Sequence, residues 1–186
     1  MTSRVVLLCH AATSATRRAA FPADEPVETD PAPLPLRADT YLTAPETSCR
    51  QTATALGLPA TVHEALRDCD FGAWRGRTLD DVTTSSPEDV GRWLTDPSAN
   101  PHGGESTLDL LDRVGAWLDT LSDGRTVAVT HPAVVKAAVV RAILATPRSF
   151  WRIDVPPLSQ TMLSGRAGRW TLRLGSAAGA TTRPTP

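Results

Sequence analysis

The sequence predicts an α/β fold built around a mostly parallel sheet. Residues 5–8 form a short apolar run with two β-branched residues, a composition typical of a strand buried on both faces, and residues 125–130 (RTVAVT) form a second such run. A helical pattern, AVVKAAVVRAIL, follows the second run. Right-handed strand–helix–strand crossovers bring the ends of parallel strands to one rim of a sheet. We therefore expect these two strands to end side by side.

Composition excludes several classes of partner. The 186 residues carry a formal net charge of −1, so no basic surface for nucleic acid is expected. No apolar run approaches the about 20 residues that span a bilayer, and no polybasic segment suggests a membrane surface. Because the first predicted strand begins almost at the first residue, we expect no signal peptide. We expect a cytoplasmic protein, and a homodimer is compatible with the sequence.

The remaining elements follow from local signals. A small-residue stretch over 11–20 favours a helix, and the prolines and acids of 21–35 favour a loop. Further helices are expected at 45–57, from 78–81, at 87–94, and at 107–121 after an N-cap at Ser106. Further strands are expected at 41–43, 61–63, 151–155, 160–163 and 170–174. We expect one domain over residues 1–175 and a disordered tail over 176–186.

Two histidines follow the two buried runs. His10 lies in the segment Cys9-His10-Ala11-Ala12-Thr13, and His131 follows Thr130. Because α/β sheets bind ligands beyond the carboxyl ends of their strands, the two imidazoles could share one substrate. Each could instead be a buried histidine with a purely structural role. A metal site of Cys9, His10 and His131 is a further alternative. However, no other cysteine or acid has suitable local spacing, so no metal is predicted.

Five segments, in this order, resemble the motifs of the histidine phosphatase superfamily, which includes the phosphoglycerate mutase-like phosphatases. The family's Arg-His-Gly motif corresponds to Cys9-His10-Ala11, and its Ser-x-x-x-Arg-x-x-Gln-Thr-Ala helix is matched through Arg50-Gln51-Thr52-Ala53. The family's Leu-x-Glu-x-x-x-Gly segment, which ends in Trp-x-Gly, corresponds to residues 66–76, with Asp68 at the acid position. The other matches are Gly104-Glu105-Ser106 with Arg113, and Val129-Thr130-His131. The resemblance implies a three-layer α/β/α sandwich with a mostly parallel central sheet.

The resemblance also implies a mechanism. His10 would attack phosphorus and form a phosphohistidine, and His131 would counter the charge of the transition state. Asp68 would protonate the leaving oxygen and then activate water. The substrate would be a small phosphorylated molecule, and no metal or organic cofactor would be needed. Residues assigned to substrate binding on this basis are Cys9, Thr13, Arg17, Arg50 and Glu105.

Cys9 departs from the family pattern. A thiol cannot supply the paired donors of the motif arginine, and one charge-assisted contact contributes about 1.5–3 kcal/mol. Arg17 or Arg18 could substitute for it. Arg50 could also be an ordinary exposed helix cation instead of a phosphate ligand. The sequence therefore predicts a phosphatase with weakened or altered activity, with two alternatives: a non-catalytic or atypical relative that binds a phosphorylated or anionic ligand, and a phosphoglycerate-type mutase.

Overall fold

Six strands form one mixed sheet in the computed structural model, which describes residues 2–166 and 168–174. The strands are β1 (Ser3–Cys9), β2 (Thr40–Thr43), β3 (Thr61–Val62), β4 (Gly124–Thr130), β5 (Gln160–Arg166) and β6 (Arg169–Arg173). Their order in the sheet is β3-β2-β4-β1-β5-β6. The first four are parallel to one another, and β5 and β6 add an antiparallel edge. The predicted α/β class with a mostly parallel sheet is confirmed.

In the described part of the chain, six α-helices connect and cover the strands. They are α1 (Ser14–Arg18), α2 (Thr47–Ala55), α3 (Leu79–Ser85), α4 (Pro87–Thr95), α5 (Thr107–Thr120) and α6 (Pro132–Ala142). Side-chain oxygens stabilise several helix starts: Ser106 caps α5 as predicted, in a reciprocal pair with Asp109. Proline fixes the backbone at the first turn of α4 and α6, where no amide donor is needed.

The central strands are buried on both faces. Every residue from Val5 to Cys9 is buried, although successive side chains of a strand point to opposite sides of the sheet. The last five residues of β4 are buried in the same way. Helices therefore cover both faces, which gives the expected three layers. A smaller hydrophobic cluster, separate from this core, contains Phe21, Trp74 and Trp93 with Val82 and Val90.

Two expectations need correction. Residues 151–155 do not form a strand: Pro147–Arg152 is a 3₁₀ helix that Pro147 begins, and Trp151 packs against Trp93. The first helix is shorter than expected because Ala19 takes a left-handed conformation (φ 49°) that ends it at Arg18. The segment 21–35 contains neither helix nor strand, as predicted. The tail assigned to 176–186 lies outside the described residues, so the domain boundary at 175 stays a prediction.

Within the described residues, no helix is long and apolar enough to cross a membrane.

Candidate active site

The two histidines meet at the rim where β1 and β4 end. Cys9 and Thr130 are register partners in this parallel pair, and the next residue in each strand is a histidine. The amide of His10 donates to the carbonyl of Thr130 at 3.0 Å. The ring centroids of His10 and His131 lie 5.0 Å apart at an interplanar angle of 65°. Two imidazoles separated by more than a hundred residues of sequence therefore face the same cavity, which has a volume of about 260 Å³.

His10 is held as a neutral imidazole. Its Nδ1 lies 2.7 Å from the carbonyl oxygen of Ala11, which can only accept, so Nδ1 carries the proton. Burial, followed by the charge of His131, lowers the pKa of His10 below its usual value. Nε2 therefore keeps a free lone pair. This is the protonation state that a nucleophilic histidine requires.

His131 is held in the opposite state. Burial acts to lower its pKa, but the carboxylate of Asp68 and the bonds to Cys49 and Glu46 outweigh burial and hold the pKa well above its usual value. Nε2 donates to Glu46 Oε2 at 2.8 Å and lies 3.3 Å from the Cys49 sulfur. Nδ1 lies 3.5 Å from Asp68 Oδ2, but it is buried and makes no hydrogen bond within the described chain. The imidazolium thus keeps one unused N–H donor at the site.

Glu46 organises the acidic side of the site. Its Oε1 accepts from the Asp68 amide at 3.0 Å while Oε2 accepts from His131. Burial raises the pKa of Glu46, but the hydrogen bond and charge of His131 outweigh it, so the net pKa is lowered and the carboxylate stays ionised. Glu46 is also the N-cap residue of α2, yet its side chain does not cap the helix. Asp24 does so instead, accepting from the Thr47 amide at 2.6 Å and from its hydroxyl at 3.2 Å.

A buried ion pair holds the segment that carries Asp68. Arg113 donates to both oxygens of Glu105 at 2.7 Å and to the main-chain carbonyl of Asp68 at 3.2 Å. Further along the segment, Gly72 and Gly104 lie so close to the opposite main chain that a Cβ on either would approach a carbonyl oxygen to 2.1 or 2.0 Å. The position of Asp68 therefore depends on residues that do not line the cavity.

The structure places the predicted substrate-binding residues in different surroundings. Thr13 lines the cavity and caps α1. Cys9 is buried beneath the site, and burial raises its pKa to about 12, so it remains a thiol. Arg17 is exposed and pairs with Glu28, and Arg18 is exposed as well; neither lines the cavity. Glu105 is occupied by its pair with Arg113.

Arg50 does not reach the histidines, contrary to our expectation. It is exposed and borders a separate depression with Asp30 and Gln51, whereas Ser48 lines the cavity of His10 and His131. Residues two apart on a helix are rotated by about 200° around the helix axis, so their side chains point in nearly opposite directions. Only one of these two positions can therefore face the site. The motif spacing contained the signal: counting back three positions from Gln51 reaches Ser48. Ser48, at this spacing, and Cys9, before His10, both have short side chains.

Sequence reasoning also missed several charged residues of the cavity wall. Glu46 was not distinguished, because its contact to His131 spans 85 positions of sequence. Two guanidinium groups, those of Arg67 and Arg75, line the cavity. Five carboxylates do so as well: Asp24, Glu25, Glu46, Asp68 and Asp70. The described residues contain no group of three or more His, Cys, Asp or Glu side chains able to hold a metal ion.

The sequence profile of the histidine phosphatase superfamily (branch 1) matches residues 33–177. The chain belongs to this superfamily. Among curated relatives, it is 35% identical over 127 residues to a Mycobacterium tuberculosis protein named as bifunctional, covering 66% of this chain and 33% of that protein. It is 32% identical over 129 residues to phosphoserine phosphatase 1 of Hydrogenobacter thermophilus, covering 67% of this chain and 59% of that enzyme. The chain thus spans a third to three fifths of the length of these two curated relatives.

Solved structures of the superfamily share the fold. A mycobacterial glucosyl-3-phosphoglycerate phosphatase in complex with VO3 superposes with a TM-score of 0.77 at 22% identity, covering 92% of this chain and 97% of that one. The alpha-ribazole phosphatase of Shigella flexneri superposes with a TM-score of 0.75 at 19% identity, covering 92% and 95%. These likenesses confirm the phosphoglycerate mutase-like architecture expected from the sequence.

Proposed function

We propose that this histidine phosphatase is a phosphomonoester hydrolase that acts through a phosphohistidine at His10. The observation that carries the proposal is the pairing of opposite protonation states. A neutral His10 with a free Nε2 faces the same cavity as an imidazolium at His131 that has an unused donor. Curated phosphatases such as phosphoserine phosphatase 1 are relatives, which supports the same chemistry.

The two steps use groups already in the cavity. In the first, which requires Asp68 in its protonated form, the Nε2–P bond forms, the P–O bond to the leaving alcohol breaks, and Asp68 gives its proton to the leaving oxygen. In the second, Asp68 takes a proton from water, whose oxygen attacks phosphorus as the Nε2–P bond breaks and phosphate leaves. Charge on the phosphoryl oxygens is countered by His131, and Arg67 and Arg75 add positive charge from the cavity wall.

Trapping the intermediate tests this proposal. After brief incubation with a radiolabelled phosphomonoester, the wild-type protein is expected to carry label that survives alkali and is lost in acid. The His10→Asn variant is expected to carry none. His63→Asn is the matched control, because His63 lies outside the cavity and its ring nitrogen Nδ1 accepts a hydrogen bond from the Ala65 amide. Label on the His10→Asn protein, or an unlabelled and inactive wild-type protein, would refute the mechanism.

A second function is favoured by the short side chains at positions 9 and 48. Neither Cys9 nor Ser48 supplies positive charge, and the five carboxylates that line the cavity outnumber the two guanidinium groups of Arg67 and Arg75. The protein would then bind a small phosphorylated or anionic ligand without hydrolysing it. Ser48→Arg discriminates between the two functions, since position 48 faces the cavity and position 50 does not. A wild-type protein that binds vanadate but releases no phosphate, with turnover gained only in Ser48→Arg, would establish the binding role.

The substrate is proposed to be a small phosphorylated molecule, and the cytoplasmic location and the homodimer stay predictions.

A further inference from the structure

A second cavity opens beside the reacting atoms. Its volume is about 300 Å³, and His10, Asp68 and Cys69 contribute to its wall as well as to that of the first cavity. The two cavities therefore meet at His10. A phosphoryl group attached there would have the polar cavity on one side and the second cavity, which we call the aromatic chamber, on the other.

The aromatic chamber is lined mainly by apolar side chains. Five of them are aromatic: Phe21, Phe71, Trp93, Phe150 and Trp151. The chamber lies where the main core and the smaller hydrophobic cluster meet, because Trp151 packs against both. This contrasts with the polar cavity, whose wall carries seven ionisable Asp, Glu and Arg side chains.

The aromatic rings support one another. Trp93 and Trp151 are 4.3 Å apart between centroids, at an interplanar angle of 67°, and Phe150 and Trp151 are 5.0 Å apart at 82°. Phe21 adds an edge contact to Trp93 at 5.6 Å. Edge-to-face packing of this kind fixes the ring planes. The chamber is thus a preformed apolar surface next to a nucleophile.

Only one ammonium group lies in the wall of the aromatic chamber. Lys136 is the only lysine of the sequence, and its Nζ lies 5.5 Å from the centre of the Phe150 ring. Burial lowers its pKa, while Asp154 and Cys9 act in the opposite direction. The other basic side chains of the site, those of Arg67, Arg75 and His131, line the polar cavity. The chamber therefore offers few hydrogen-bond donors to a highly polar alcohol.

From this juxtaposition we infer that the aromatic chamber binds the organic part of the substrate, and that the preferred substrates are phosphomonoesters of apolar, ring-containing alcohols. The inference rests on the proposed hydrolysis at His10 and adds its substrate class. The alcohol oxygen would lie next to Asp68, which both cavities share, while the ring would contact Trp93 and Trp151. Burying one phenyl group in such a chamber is worth about ten- to a hundredfold in kcat/KM.

A comparison of two alkyl phosphates tests the inference. Phenethyl phosphate carries a ring and n-propyl phosphate does not, and both release a primary alkyl alcohol, so leaving-group chemistry is closely matched. The wild-type protein is expected to prefer phenethyl phosphate by about tenfold or more in kcat/KM. Filling the chamber with Ala133→Phe is expected to abolish this preference. Ala55→Phe is the matched control, since Ala55 borders the separate depression of Arg50.

A binding measurement separates this inference from the proposed function. Phenylpropylphosphonate and propylphosphonate cannot be hydrolysed, and calorimetry is expected to show at least tenfold tighter binding of the phenyl compound to the wild-type protein. This readout needs neither catalysis nor a folded Ala133→Phe variant. Equal affinities, or equal kcat/KM for the two esters, would overturn the inference while leaving hydrolysis at His10 intact. Hydrolysis of neither ester, with the affinity difference present, would refute the proposed function and keep the chamber as a ligand site.

Discussion

The charge of His131 depends on two carboxylates that approach its ring from different elements. Glu46 accepts from Nε2, and Asp68 lies 3.5 Å from Nδ1. Burial alone would lower the pKa of the ring, so the raised pKa is the result of these acids outweighing desolvation. The proposed role of His131 in countering phosphoryl charge therefore depends on Glu46, to which the mechanism assigns no contact with the substrate, as well as on Asp68.

Neutralising Glu46 should lower the pKa of His131. The Glu46→Gln variant keeps the shape of the side chain but removes one of the charges that favour the imidazolium, so the ring should lose its proton at lower pH than in the wild-type protein. Histidine NMR titration measures this directly. Glu25→Gln is the control, because Glu25 lines the same cavity but its carboxylate accepts from the Ala23 amide. Identical titration of His131 in Glu46→Gln and the wild-type protein would contradict the assignment.

At the scale of single residues, the sequence predicts local positions better than partners. His10 and His131 could be found because each follows a buried apolar run, a pattern contained within a few residues. Glu46 could not be found in this way, since only the folded chain brings it to His131. Ser48 could have been found from the motif spacing. Arg50, two positions later, was assigned to substrate binding in its place because it has the residue type of the motif.

At the scale of elements, two turns interlock to hold the segment of Asp68. The main chain at Gly72 and Gly104 packs against carbonyl oxygens of the opposite turn, and the Glu105 amide donates to Asp70 at 2.8 Å. This contact, together with the pair between Arg113 and Glu105, fixes a segment that has little regular secondary structure of its own. The aromatic side of the site has a comparable origin, since the 3₁₀ helix over Pro147–Arg152 presents Trp151 where the sequence favoured a strand.

Adding one methyl group at Gly104 should disrupt this contact. The Cβ of Gly104→Ala would lie 2.0 Å from the Asp70 carbonyl oxygen, and we expect a loss of about 1–3 kcal/mol in the free energy of unfolding. Gly91→Ala is the matched control: Gly91 lies within α4 with no heavy atom within 4 Å of its Cβ position. Helix propensity alone should stabilise that variant by about 0.5–1 kcal/mol. Urea unfolding compares the two, and equal changes would show that the turns are not tightly packed.

At the scale of the whole molecule, the two histidines should give stability opposite dependences on pH. The pKa of His10 is lowered in the folded state, so stability falls as pH drops below the value of 6.5 for an unperturbed histidine. The pKa of His131 is raised, so its contribution is complete below pH 6.5 and is lost as pH rises through the folded-state pKa. Each unit of difference in pKa corresponds to about 1.4 kcal/mol.

Replacing His10 should remove the loss of folding stability that this histidine causes below pH 6.5. Urea unfolding of the wild-type protein and of His10→Asn, measured at a series of pH values, is expected to give a gap between the two stabilities that changes below pH 6.5 and is constant just above it. His63→Asn serves as the control for replacing a histidine elsewhere. A constant gap over the whole acid range would mean that His10 keeps its ordinary pKa on folding.

The overall architecture followed from the sequence because it depends on repeated local patterns. The buried strands β1 and β4 are each indicated by a short apolar run, and the cap of α5 is indicated by Ser106 directly before the helical pattern. The aromatic chamber had none. Phe21, Trp93 and Trp151 come from three distant parts of the chain, and only their packing shows that they border one space.

Asp24, a residue of the cavity wall, provides the N-terminal cap of α2, the helix that carries Ser48. Asp24 adopts a left-handed backbone (φ 76°), which an aspartate tolerates better than most residues. Its carboxylate caps the helix in place of the carboxylate of Glu46, which accepts from His131. Losing such a cap costs about 1 kcal/mol. Displacing Asp24 would thus leave the Thr47 amide at the start of α2 without its side-chain acceptor. The cavity wall at Asp24 and the helix that carries Ser48 are therefore linked by one side chain.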